Sequence, residues 1–557
     1  MTTLVVKAGD YQSPAIFQAQ IQSKIDSGKY DQIVFESKGM SGGDVLIGPN
    51  TIKINGPMKI GPGTPNIRVV GTSGSTIKDR MDCGIFSITG DGAVKITGLR
   101  LLHVAGVNPH YQPNQDLPWY PNIPNVPPAT GFQSTDDPGM RSHGSGTIAW
   151  FVDNTEESAL EVTDCEIITT ATAAIDIEAI NEPTDPLRHD LIVRNCRITG
   201  MRPGGPIPSS IATIDDVMTN LILNHPLDGD WLAGNWMSVK LGPMPPSGES
   251  IPAWPVDLRH SYVEIADCTL DPATFAGIGI WRCYSDTETE LVMSSNQIGQ
   301  QPGAGSLSFG VFVGFPFSDL PKGTALISDN RISVADCFDF GGVRFSAGIS
   351  VEVNNDDVEI KTRTVIVDNA IGLLHPKSDK DPSTIFSAGI MYNDTAAGGS
   401  ESVSALIENN KITGGAAAPP RWGIALRGSA HDMVVRDNHL ETLQAGVAQI
   451  YIEPEAHNGI FSENLLGTLM PMSSTNPTAP AVPQEAVLLC DGGQNRFFDN
   501  DFSFSGIHPG WDTSHAGPGL FKLGNQSKEN ILVTHDLDAK QYLDAVTQNT
   551  TNHWFQI

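Results

Sequence analysis

An all-β solenoid of stacked parallel strands is the fold this sequence predicts, and three observations predict it. A short phrase recurs as VTDCEI, VRNCRI, IADCTL, MSSNQI, ISDNRI, IVDNAI, IENNKI, VRDNHL, SENLL and FDNDF. A second run recurs between those phrases, as AAIDIEA, AGIGIWR, FGVFVGF, AGISVEV, AGIMYND, WGIALRG and AGVAQIY. The 557 residues include 56 Gly and 39 Pro, a turn-rich composition in which nothing reads as a run of long helices. A unit repeated with loops of variable length defines a solenoid, and this overrides the several domains that length alone suggests.

The elements follow in order. SPAIFQAQIQSKIDSG reads as an amphipathic helix with Ser13 as N-cap, Pro14 at the first helical position and Gly28 at its close. Residues 1–30 are accordingly expected to form an N-terminal cap. Residues 31–525 carry the coils, about ten to twelve of them by the repeat count. The corner positions are Cys165, Cys196, Cys268, Asn296, Asn330, Asn369, Asn410, Asn438, Asn464 and Asn500, and ITGLRL puts Leu99 at an earlier one. Asn suits a corner because it tolerates left-handed backbone. At ~4.8 Å per rung each amide reaches the next, so a ladder satisfies groups that burial would otherwise orphan. The three cysteines are reduced packing groups in the same stack. The second runs alternate inward and outward as half-buried strands do. Two insertions interrupt the coils, 104–145 and 216–260, and residues 526–557, with DLDAKQYLDAVTQN, form a C-terminal cap or tail.

The charge is 34 minus 63, or −29, which disfavours nucleic acid and anionic membranes as partners. No apolar stretch is long enough to span a bilayer. MTTLVVKAGDYQSP lacks a basic region before a long apolar core, so the expectation is a cytoplasmic protein if Met1 is the native start and a secreted one if a leader was removed. Seven cysteines without a C-x-x-C argue against a disulfide framework or a zinc ribbon.

Taken together, the corner phrases and the AGIxV runs make the chain resemble the right-handed parallel β-helix of the pectate-lyase-like superfamily over roughly residues 30–525. The resemblance implies that the corner stack separates the second and third strands of each coil. It implies that the AGIxV runs are the first strand, and that the loops after that strand border the substrate groove. Both insertions then flank the groove, one carrying NPHYQPNQDLPWYPNIPNVPP, the other Trp231, Trp236, Trp254, Arg259 and His260. Long loops on a rigid scaffold commonly carry function, although covering a sheet or forming a homo-oligomer contact would also use them.

Outward first-strand residues give the site expectation. Asp176 and Glu178, then Asp215 from SSIATIDDVMT, then Trp281 and Arg282, fall on successive rungs. At ~5 Å per rung they meet on one face. Paired carboxylates with divided pKa values suit glycosidic chemistry, and Trp231, Trp254 and Trp281 suit sugar stacking. Glu352, Asn393 and Arg427 form a second polar column. His143 and His260, with the pairs Arg188/His189 and Arg259/His260, would serve an elimination that needs a base and a cation for a uronate carboxylate. The bland readings are solvated strand-face acids and loop anchors.

Other motifs fail. GMSGG lacks a strand-to-helix elbow. Asp215-Asp216 and Asp356-Asp357 occur without the G-H-G and R-x-K of polygalacturonases, and NPH at Asn108–His110 lacks the Asp of the epimerase D-P-H. No motif calls for a metal or other cofactor, though acidic loops such as VNNDDVEI offer calcium ligands. The expected function is a carbohydrate-active enzyme that hydrolyses or rearranges a glycosidic bond. The alternatives are a polysaccharide lyase or uronate epimerase, an intracellular cyclase or isomerase of a small metabolite, and a glycan-binding or tail-spike-like protein.

Overall fold

The computed structural model describes residues 2–7, 14–37, 45–47, 52–69, 84–103, 146–169, 173–200, 237–242, 254–272, 276–281, 283–299, 307–314, 324–335, 344–353, 362–374, 385–394, 403–414, 419–470, 484–505, 518–524, 526–534, 542–544 and 551–556. They divide into two units, Met1–Ser285 and Asp286–Ile557. Each unit has the predicted fold, a right-handed parallel β-helix. A coil of the first unit runs through Ala173–Ala179 in the first sheet, His189–Arg194 in the second and Arg197–Gly200 in the third. A coil of the second unit runs likewise through Arg344–Val353, Thr362–Val367 and Ala370–Leu374.

Alternation of side chains explains the core. Ile175, Val239 and Ile278 are in register on neighbouring first-sheet strands. Val162, Val193 and Ile265 are in register on the second, and Ile167, Ile198 and Leu270 on the third. All nine are buried. Removing this apolar surface from water is the main favourable term for each rung. Stacking supplies it, because no single coil could bury its own inward face.

The corners differ from the expectation in one respect. The left-handed residue is not the ladder residue but the one before it. Asp164, Asn195, Asp267, Ser295, Asp329, Asp368, Asn409, Asp437, Glu463 and Asp499 all have φ between 47° and 59°. Short polar side chains tolerate that backbone best, which accounts for the Asp and Asn that recur there. The following Asn is thereby turned inward to stack. Asn330 Nδ2 donates to Asn369 Oδ1 at 2.9 Å, and the same bond links Asn369 to Asn410, Asn410 to Asn438 and Asn438 to Asn464. The expected ladder is therefore present, running from Asn296 at one end to Asn500 at the other. A second and shorter column, Asn495, Asn530 and Asn552, stands at the turn before the second-sheet strands. In the first unit the corner positions hold Cys165, Cys196 and Cys268, all buried free thiols.

The glycine of the AGI signature has a steric cause. A Cβ on Gly348 or Gly389 would lie 2.3 or 2.5 Å from Cγ2 of Ile371 or Ile412, inward residues of the third sheet. First and third sheets meet too closely there for any side chain.

The ends need correction. The N-terminal helix spans Pro14–Ile25 but widens to a π-helical turn over Gln18–Gln22. Phe17, Ile21 and Ile25 are its buried face, and Ser13 lies outside the described residues. Thr3–Lys7 already pairs in parallel with Gln32–Glu36, so the second sheet starts before the helix. At the other end Ile531–Thr534, Tyr542–Asp544 and His553–Gln556 continue the second and first sheets. The stretch expected as a cap or tail therefore carries coil strands.

Candidate functional site

Of the two insertions, 104–145 lies outside the described residues. The other is not one loop. Met237–Leu241 inside it is a first-sheet strand, seated between Ala173–Ala179 and Ala276–Trp281. Asp215 is the residue expected on that rung. The register instead sets Lys240 opposite Asp176, and Asp215 lies outside the described residues. The signal was present in WMSVKLG, where a lysine interrupts an alternating apolar run. Without the AGI signature the run went unrecognised.

Asp176 and Glu178, two residues apart, project from the same face, as period-two alternation requires. Lys240 Nζ donates to Asp176 Oδ1 at 2.8 Å and to Glu178 Oε1 at 2.5 Å. Lys240 and Asp176 are buried, while the Glu178 side chain keeps 14% exposure. Burial pushes the Glu178 carboxyl up to about 7, against the pull of Lys240 and with help from Asp176. Burial alone would lower the Lys240 ammonium, yet the two carboxylates outweigh it and hold it above its ordinary value. The trio thus keeps a permanent cation beside a carboxyl that titrates near neutrality.

The remaining expected residues sort as follows. Trp254 is half-buried and forms an antiparallel bridge with Ala179, at the end of the strand that carries Glu178. Trp281 ends the neighbouring first-sheet strand Ala276–Trp281. His143, Trp231 and Arg282 lie outside the described residues, as does the acidic stretch from Asn354 to Ile360. His260 is exposed in the turn before Tyr262–Ala266, at a left-handed φ of 58°. The Arg-His pairs are turn anchors. Arg188 holds Asp190, Arg259 holds Asp257, and the His189 ring is buried with Nδ1 3.0 Å from Ser158 Oγ. In the second unit Glu352, Asn393 and Arg427 do share one row of the first sheet. Arg427 extends to Glu453 at 3.5 Å, which also accepts the Gly428 N–H.

No protein-family model matches the chain, nor does any curated protein sequence. Among solved structures, PfbA, a surface adhesin of Streptococcus pneumoniae, aligns with 90% of this chain and 93% of its own, at 11% identity and a TM-score of 0.37. A DFA-IIIase mutant from Arthrobacter chlorophenolicus A6 aligns with 99% of this chain and 98% of its own, at 9% identity and a TM-score of 0.33. These are distant likenesses of architecture.

Proposed function

We propose that the chain is a carbohydrate-active enzyme that hydrolyses or rearranges a glycosidic bond, with Glu178 as its proton donor. The observation that carries this reading is the Glu178 carboxyl, raised to about 7 by burial while still partly open to solvent. A general acid works best when its pKa lies near the working pH. Oε1 is engaged by Lys240, which leaves Oε2 to carry a proton to the departing oxygen. Once the proton has gone, the new carboxylate faces an ammonium already in place, so the site need not reorganise. Asp176 fixes that ammonium from the other side and acts as a positioning residue.

Hydrolysis or transfer is preferred to elimination. An elimination needs a cation to hold the substrate carboxylate, whereas Lys240, Arg188 and Arg259 each hold carboxylates of this chain. The test is turnover on a panel of neutral and anionic oligosaccharides by the wild type and Glu178→Gln. The variant should lose about 10²–10⁴-fold in rate with little change in melting. Full activity in the variant would remove Glu178 from the mechanism. An ultraviolet-absorbing unsaturated product would establish elimination instead.

A further inference from the structure

Towards the C-terminal end of the second unit, two carboxylic acids stand side by side at the edge of the first sheet. Glu453 and Asp491 directly follow Ile452 and Cys490, which are in register. The ladder continues through them, since Glu453 N donates to Leu426 O and Asp491 N to Ile452 O, both at 2.9 Å. They therefore occupy neighbouring rungs, ~5 Å apart along the coil axis. Two-residue alternation sets Tyr451 on the same outward face. Solvent reaches all three. The Glu453 side chain keeps 27% exposure, and Tyr451 and Asp491 are half-buried. Tyr451 lies parallel to the buried Trp422 ring, with centroids 5.3 Å apart and planes at 8°.

The two acids are held differently. Glu453 Oε2 accepts the Gly428 N–H at 2.6 Å, and Oε1 lies 3.5 Å from the Arg427 guanidinium. The Asp491 carboxyl makes no hydrogen bond or ion pair among the described residues. It leans over Gly524 on the next rung, where a Cβ would come within 1.4 Å of Asp491 Oδ1. Burial pushes the Asp491 carboxyl up, as do Glu485 and Glu453, with Lys522 pulling the other way. Donors thus attend one acid and none attends its neighbour. An asymmetry of this kind divides a proton donor from a nucleophile.

We propose that Glu453 and Asp491 form a second catalytic pair, which cleaves neutral glycosides with retention of configuration. The rung spacing fits, because retaining pairs stand ~5–5.5 Å apart. Asp491 gives its proton to the departing oxygen as the bond from that oxygen to the anomeric carbon breaks. Glu453 Oε1 bonds to the same carbon. A water then returns a proton to Asp491 and adds its oxygen to that carbon, releasing Glu453. One water is consumed and both side chains are restored. Tyr451 supplies an aromatic surface beside the reacting ring. A uronate is disfavoured, because Arg427 and Lys522 already hold Glu453 and Glu485. The proposal rests on the glycosidic reading of this chain but not on Glu178.

The test is kcat/KM on phenyl and dinitrophenyl α- and β-glucosides, galactosides and mannosides. The protein is the full chain carrying Glu178→Gln, so that the first site is silent. It should still cleave at least one of these sugars. Adding Asp491→Asn should slow the phenyl glycoside about 10²-fold or more. The dinitrophenyl glycoside, whose leaving group needs no proton, should slow about tenfold or less. Adding Glu453→Gln should slow both about 10²-fold or more, because the nucleophile serves either leaving group. Both substitutions keep side-chain volume, and melting curves confirm that each variant folds. A merely structural role for Asp491 would slow the two glycosides alike, and that result overturns the proposal. So does a folded Glu453→Gln chain that cleaves like its parent. If the wild type is active and Glu178→Gln alone abolishes all cleavage, this pair is refuted and the first site stands. If Glu178→Gln changes nothing while the second pair behaves as expected, the first site is refuted and this one stands. A wild type that cleaves none of the glycosides refutes both.

Discussion

Glu178 shows how one side chain couples stability to activity. Its pKa is raised from 4.5 to about 7 in the folded chain, so folding favours the protonated form. The stability it contributes is full below pH about 4.5 and is lost as pH rises through about 7. As a general acid it must also be protonated to act. Rate against pH should therefore fall above about 7, and Glu178→Gln should abolish that limb. The same variant mimics the protonated form, so at pH 8 it should melt no lower than wild type in a thermal scan. The corner thiols are a second case at this scale. Cys165 Sγ donates to Thr163 O at 3.2 Å, and Cys268 Sγ accepts the Cys196 N–H at 3.4 Å. Sulfurs packed in this way are shielded from reagents. Native protein should label slowly at Cys165, Cys196 and Cys268 by mass spectrometry, and unfolded protein at once.

At the scale of the rung, each corner Asn serves two coils. Asn330 accepts from Asn296 through Oδ1 and donates to Asn369 and to Met293 O through Nδ2. Asn330→Leu removes the acceptor for one amide and the donor for another, and should lower stability by about 1–3 kcal/mol in urea titrations. Unchanged melting would mean that the column contributes no net stability. The first-sheet glycine is a different constraint, one of space. Gly389→Ala would bring a methyl to 2.8 Å from the Gly423 carbonyl oxygen as well as against Ile412. Overpacking of that kind costs about 1–3 kcal/mol, measurable by the same titration.

Across the whole chain, what the sequence disclosed was what repeats. The corner phrases and alternating runs were legible because every rung poses the same problem of burial, and the solution is written many times over. Single events were not legible. Lys240 was missed because its strand stands alone between two long stretches and lacks the glycine that marks strands such as Ala276–Trp281 and Arg344–Val353. The left-handed corner residue was assigned one position late, because Asp and Asn occupy both places in phrases such as ISDNRI and IENNKI. The Asn495 column was missed because its neighbours, Gly492 and Ser527, look like ordinary turn residues. That Asp176 and Glu178 share a face, and that Glu352, Asn393 and Arg427 share a row, was legible because two-residue periodicity fixes which side chains point the same way. The cation beside Asp176 and Glu178 was not legible, since it depends on which side chain the next rung supplies.

The asparagine column also bears on how the protein ages. Deamidation begins when the backbone nitrogen after an Asn attacks its own side-chain amide. Along the ladder that nitrogen is already committed. Arg331 N donates to Asn296 O, Ala370 N to Asn330 O, Lys411 N to Asn369 O and His439 N to Asn410 O, each at 2.8 Å. The amide it would attack is held in turn by the next rung. Long storage of the folded protein at mildly alkaline pH should therefore leave Asn330, Asn369, Asn410 and Asn438 intact on peptide mapping, while the same residues convert in the unfolded chain. The column that aligns the coils would thus also act as a chemical preservative of its own amides.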